Sequence, residues 1–287
     1  MATLREIKRR IGSIKSTQQI TKAMKMVAAA KMRRAQENIL ATRPYAFKIR
    51  EMMQDLMAQS SNFQDPLMQE REVGRMYLVV VTADRGLCGA FNHNIIRRAV
   101  REIQEHKEIE TWIVPVGRKG YDYFSKRDYH IEKSFLDLFN KLEYHHAKEI
   151  SKFLISEFLA GKVDSIKIVY NEFKNVAQQN LRVETYLPIP RQAAEITEVA
   201  DYIFEPDHEE ILRKLLPKFL DIEMWRVLLE SYAAEQGARM TAMENATENA
   251  KELIYQLTLQ YNKARQAAIT KEISEIVGGA EALKSAG

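Results

Sequence analysis

The chain has 287 residues, 46% hydrophobic and 29% charged, which suits one or two globular domains. Its longest apolar stretch, Met76 to Ala83, falls far short of the roughly 20 residues that cross a bilayer. The first ten residues already carry Arg5, Lys8, Arg9 and Arg10 with no apolar core behind them, so no secretory leader is expected. The single cysteine, Cys88, excludes an internal disulfide and suits a reducing compartment.

Residues 3 to about 58 read as one helix. Leu4, Ile7, Ile11 and Ile14, then Ile20, Met24 and Val27, then Ala35 and Ile39 recur at helical spacing and mark one buried seam. Pro44 is expected to kink or break this helix, because it lacks a backbone donor and crowds the preceding turn. Residues 1–50 hold 13 Lys or Arg against Glu6 and Glu37, a charge of +11, which leaves −7 on the other 237 residues for the net +4. Acids are so scarce here that the usual i,i+4 pairs of an exposed helix are missing. An acidic partner is implied, and nucleic acid, anionic lipid and protein all satisfy that requirement. The methionines of this segment (Met24, Met26, Met32, Met52, Met53, Met57) are read as packing residues.

The middle alternates. Tyr77–Val81, Trp112–Val116 and Ile166–Tyr170 are apolar strand runs, and Leu181–Leu187 alternates as a half-exposed strand does. Between them residues 92–106 and 143–159 have helical patterns. Such alternation predicts an α/β sheet with mostly parallel strands. A compact acidic stretch, Glu195 to Glu210, follows. From Asp207, a candidate N-cap, the last segment reads as a second long helix to about Leu283. Its interruptions are Pro217, Gly237 and Gly278-Gly279. Ala246, Ala250, Leu253, Leu257 and Ala264 form a heptad-like seam with Gln260 as a polar interruption, and Ala233, Ala234, Gly237, Ala238 and Ala242 permit close approach. At 1.5 Å per residue the two helices reach on the order of 80 and 110 Å, too long for one compact domain. They are expected to pair antiparallel: an α/β fold plus a long two-helix coiled coil.

Candidate chemistry is thin. The loop Asp84-Arg85-Gly86-Leu87-Cys88-Gly89 sits between a strand and a helix, where α/β proteins place phosphates, yet it matches neither G-x-G-x-x-G nor G-x-x-x-x-G-K-[ST]. A structural turn is the better reading. Cys88 is read as a small buried thiol, and His145-His146, adjacent on a helix, point about 100° apart and make a poor metal pair. No catalytic, cofactor-binding or metal-binding residues are assigned.

Three blocks carry a specific resemblance: I-K-S-T-Q-Q-I-T-K-A-M-K-M-V-A-A-A-K-M-R-R-A-Q at 14–36, D-R-G-L-C-G-A-F-N at 84–92, and A-R-M-T-A-M-E-N-A-T-E-N-A at 238–250, continuing through Y-N-K-A-R-Q-A-A-I-T-K-E-I-S-E-I-V-G-G-A at 261–280. Together they resemble the gamma subunits of bacterial F-type ATP synthases over essentially the whole chain. The resemblance implies a non-catalytic rotor of the central stalk that couples ion-driven rotation of a c-ring to sequential changes in catalytic beta subunits. It implies an antiparallel coiled-coil shaft from residues 1–58 and 207–287, with a Rossmann-like α/β domain, residues 59–206, at the foot. The implied partners are three alpha and three beta subunits, an epsilon subunit and the c-ring, with no nucleic acid. Membrane association comes only through the complex, on the cytoplasmic face of a bacterial cell membrane. Residue by residue, Met24 matches the methionine that faces acidic loops of beta, with Lys8, Arg9 and Arg10 on the same basic helix. Arg265, Gln266 and Thr270 match the catch near the top of the shaft. Tyr202 and Glu205 match the foot contacting the c-ring and epsilon. Lys25 departs from the acidic residue that some members carry beside the methionine. A coiled-coil scaffold without a motor and a nucleic-acid-binding protein are the alternatives.

Overall fold

The computed structural model describes residues 3–59, 64–175, 179–190 and 207–285. The chain runs α1 (Leu4–Gln59), β1 (Arg75–Val81), α2 (Phe91–Glu105), β2 (Glu110–Val116), α3 (Arg118–Phe124), α4 (Tyr144–Leu159), β3 (Ser165–Phe173), β4 (Gln179–Leu187) and α5 (His208–Ser285), with 3-10 turns at Pro66–Met68 and Leu138–Asn140. All four strands and the helices expected at 92–106 and 143–159 are present. The short α3 carried no sequence signal, being seven residues that include Gly120.

Two compact units form. One contains residues 1–27 and 242–287, the other residues 28–241. The second holds a sheet of order β2-β1-β3-β4, in which β1 pairs parallel with both β2 and β3, and β4 is an antiparallel edge. The strands alternate between two apolar layers, as a period of two requires. Tyr77, Val79, Val81, Ile166 and Ile168 face a core shared with α4, Ile49, Met53 and Leu56 of α1, and Leu212 to Leu228 of α5. Leu78, Val80, Ile113 and Val169 face Ile95 and Ala99 of α2 and Phe124 of α3. Parallel strands covered on both faces explain why β1 is an unbroken apolar run.

Helix α1 begins with a capping box hidden in the sequence as T-L-R-E. The Glu6 N–H donates to Thr3 Oγ1 and the Thr3 N–H to the Glu6 carboxylate. The covered positions of α1 in the first unit are Leu4, Ile7, Ile11, Ile14, Gln18, Thr21, Met24 and Lys25, spaced by three and four up to the adjacent pair Met24-Lys25. Ile20 and Val27, expected on the seam, lie 60% and 56% exposed. The seam steps through Gln18 and Thr21 instead, polar residues that an apolar count skips. No break occurs at Pro44, which lies inside the helix. It sits on an exposed face, next to exposed Arg43 and Tyr45, where water can take the carbonyl it leaves free. Helix α5 starts as expected, with the Asp207 carboxylate accepting the Glu210 N–H at 2.9 Å. Its covered positions in the first unit are Ala242, Met243, Ala246, Thr247, Ala250, Ile254, Leu257, Tyr261 and Ala264. Leu253 and Gln260 are exposed and lie off the seam.

Candidate partner interface and the loop at the sheet edge

In the unit of residues 1–27 and 242–287, α1 and α5 run antiparallel. Thr21 and Thr247 share a hydroxyl hydrogen bond of 2.7 Å, and one turn on Lys25 Nζ reaches Glu244 Oε1 at 2.6 Å. Counted back along both helices from Thr21 and Thr247, Ile7 comes level with Tyr261 and Leu4 with Ala264. Beyond that height α5 continues without a described partner. Residues 265–280 are exposed on every side, although Ile269, Ile273, Ile276 and Val277 are large apolar residues. Ile269, Ile273, Ile276 and Val277 recur at i, i+4, i+7 and i+8 and so form one exposed apolar stripe, a face that calls for a cover.

The residues assigned from sequence fall on these surfaces. Lys8, Arg9 and Arg10 are exposed on α1, Met24 is half-buried beside the seam, and Arg265, Gln266 and Thr270 lie on the uncovered stretch of α5. The Thr270 hydroxyl donates back to the Gln266 carbonyl at 3.0 Å. Tyr202 and Glu205 lie outside the described residues. Among the described residues, the six cations Arg5, Lys8, Arg9, Arg10, Lys15 and Lys22 are exposed and form no ion pair with this chain, and Lys25 alone of this group has an acid.

The second unit carries the loop after β1. Its aspartate turns inward: the Asp84 carboxylate, 7% exposed, accepts backbone N–H groups from Arg118, Asp137 and Phe139 at 3.0, 3.0 and 3.1 Å. Asn92 accepts the Ala83 N–H at 2.9 Å and donates to Cys88 Sγ. From α5, Arg239 pairs with Glu235 and donates to the carbonyls of Arg85 and Gly86 at 3.3 and 3.2 Å. A carboxylate, which would repel a phosphate, therefore occupies the switch point of the sheet, and the polar groups named here are taken up in tying the loop to α2, α3, α5 and the turn at Leu138–Asn140. Burial raises the Cys88 thiol above its ordinary range, with Arg239 opposing, so it stays protonated. Burial likewise raises Glu235, against the pull of Arg239. Leu87, at φ 62° and 66% exposed, sits at the tip in the left-handed region. Among the described residues no group of His, Cys, Asp and Glu is placed to hold a metal. No described helix is long and apolar enough to cross a membrane.

Sequence reasoning missed one cluster. Arg226 of α5 donates to Glu184 of β4 at 2.7 Å, to Glu223 at 2.8 Å, to Glu230 at 3.3 Å and to the Tyr170 hydroxyl of β3 at 2.9 Å, while Arg50 of α1 pairs with Glu223. Its members come from four elements, so no local pattern announces it.

The exposed seam ends, the unpaired cations and the self-satisfied sheet loop define a partner-binding protein built on a two-helix unit. The family described as ATP synthase matches residues 3–283. A gamma chain of ATP synthase from Chlorobium phaeobacteroides is 50% identical over 290 residues, covering 99% of this chain and all of the relative. One from Desulforamulus reducens is 51% identical over 286 residues, covering 99% of this chain and all of the relative. Among solved structures, a chain from the central stalk and c-ring of Tetrahymena thermophila mitochondrial ATP synthase superposes with a TM-score of 0.62 at 26% identity, covering 79% of this chain and 99% of that one. A chain from Euglena gracilis mitochondrial ATP synthase shares the fold, with a TM-score of 0.68 at 21% identity over 98% of this chain and 94% of that one. The chain belongs to the ATP synthase gamma chain family.

Proposed function

We propose that this chain is the central-stalk rotor of an ATP synthase and contributes no catalytic group of its own. The observation that carries the reading is the stretch 265–280, an uncovered helix with one exposed apolar stripe, inside the range the family matches. Such a stripe needs a cover, and a ring of three alpha and three beta subunits around the helix supplies one. Within it Lys8, Arg9, Arg10 and Met24 face acidic loops of beta, and Arg265, Gln266 and Thr270 form the catch nearer the tip. Residues 1–58 with 207–287 act as the shaft. Residues 59–206 act as the foot, where Tyr202 and Glu205 meet epsilon and the c-ring at the cytoplasmic face of a bacterial membrane. One asymmetric chain in a ring of threefold repeats cannot make the same contact to all three, so turning it drives the three sites through different states in sequence.

The test is ATP hydrolysis by purified alpha and beta subunits with and without this chain, after size-exclusion chromatography. Co-elution at one copy per three alpha–beta pairs, with sustained turnover, is expected. A chain that elutes alone and leaves turnover unchanged overturns the reading.

A further inference from the structure

Of the cations at positions 5, 8, 9, 10, 15, 22 and 25, six are exposed and unpaired, and only Lys25 is answered, by Glu244 of the neighbouring helix at 2.6 Å. That exception sits directly beside Met24. We propose that Glu244 is a positioning residue, an internal counter-charge that keeps the Lys25 ammonium away from the acidic partner surface faced by the other six cations. The inference rests on reading this unit as the partner-facing shaft.

The bridge is poorly suited to holding the helices together. Its two side chains are 37% and 56% exposed, a setting in which an ion pair contributes little to stability. The helices are already joined there by Thr21–Thr247 and by the apolar seam through Met243 and Ala250. Its effect lies in the field presented outward. An unanswered ammonium beside Met24 attracts carboxylates in each of three like partners in turn. A moving shaft must break that attraction at every step, so it adds to the barrier of rotation and contributes nothing to its direction. The six unpaired cations lie N-terminal to Met24 on α1, from Arg5 to Lys22, where a steady positive field suits an acidic partner. At Met24 the chain replaces that field with a neutral pair.

The experiment compares four chains in the assembled complex with alpha and beta subunits: wild type, Glu244→Gln, Lys25→Gln and the double variant. Steady-state ATP hydrolysis is read at low and high salt. Glu244→Gln is nearly isosteric and frees the ammonium. Its turnover is expected to fall about two- to fivefold, the range of one exposed ion pair expressed as a rate. The deficit is expected to shrink as salt shortens the screening length. Lys25→Gln and the double variant are expected to turn over as wild type does. That rescue separates the proposal from a bracing role, since every variant lacks the bridge equally. Equal slowing of all three variants, or unchanged turnover in Glu244→Gln, overturns it while leaving the rotor reading intact. A wild-type chain that neither co-elutes nor alters turnover overturns both.

Discussion

At the scale of single residues, two positions hold the sheet unit together by means that tolerate no near-equivalent. Gly117 has φ 100°, and a Cβ there would stand 2.1 Å from the Thr82 carbonyl oxygen. Gly117→Ala is therefore expected to cost about 3 kcal/mol or more, from left-handed strain and the forced separation of β1 from β2. Urea unfolding of the purified chain measures this. Arg226 forms ion pairs with Glu184 and Glu230 and shares Glu223 with Arg50. Burial already raises Glu230 above the ordinary carboxylate range, with Arg226 opposing. Arg226→Met strips that opposition and is expected to cost about 3 kcal/mol at neutral pH, the scale of breaking a buried pair by removing one partner. The sign of its pH dependence follows. Without Arg226, Glu230 titrates still higher when folded than when unfolded, so its penalty is present above the folded value. It disappears as pH falls and Glu230 takes up a proton. The gap between variant and wild type is thus expected to be narrower at pH 5 than at pH 8, and a gap that widens on acidification would contradict the assignment.

At the scale of elements, the two long helices do different work along their lengths. Below residue 242 α5 is a core element, with Leu212, Leu216, Leu220 and Leu228 fully buried in the sheet unit. Above it the seam narrows, and over residues 265–280 no cover remains. Met24→Lys is expected to leave this chain folded and assembled but to lower ATP-driven proton pumping relative to hydrolysis, because it adds a charge where the shaft moves against its sleeve. Pumping and hydrolysis assays on inverted vesicles read that ratio, and wild-type pumping would contradict the placement. Replacing Arg265 and Gln266 together with Ala is expected to slow turnover several-fold without loss of assembly, if each donates one charge-assisted or neutral hydrogen bond to the sleeve. These helices were the most legible elements in the sequence, since their period repeats many times. The exact seam was not, because Gln18, Thr21, Lys25 and Thr247 occupy seam positions and an apolar count steps over them to Ile20, Val27 and Leu253. Strands β1 to β4 were legible for a different reason: each is a short β-branched or alternating run bounded by turns.

At the scale of the whole molecule, function was legible from three sequence blocks, whereas the interactions that support it were not. The block 84–92 reads as a possible phosphate loop until its aspartate is seen to accept three backbone donors and Arg239, from the block 238–250, is seen to hold two of its carbonyls. Two of the three blocks thus meet in one clamp, separated by about 150 residues of chain, a juxtaposition no local pattern encodes. The basic arm was legible as a demand for an acidic partner, but only the structure distinguishes, among its first seven cations, Lys25, which is answered internally, from the six that are not. The loop at the sheet edge closes its own polar groups, while the two-helix unit leaves apolar and basic surface for something else to cover. That division suits a chain that transmits motion between other subunits and performs no chemistry.

The most direct test of this account is to watch the chain turn. With alpha and beta subunits fixed to a surface, a bead or rod attached to the sheet unit and ATP supplied, the account predicts unidirectional rotation in three equal steps per revolution. Sustained ATP hydrolysis by the same assembled complexes with the attached probe stationary would contradict it.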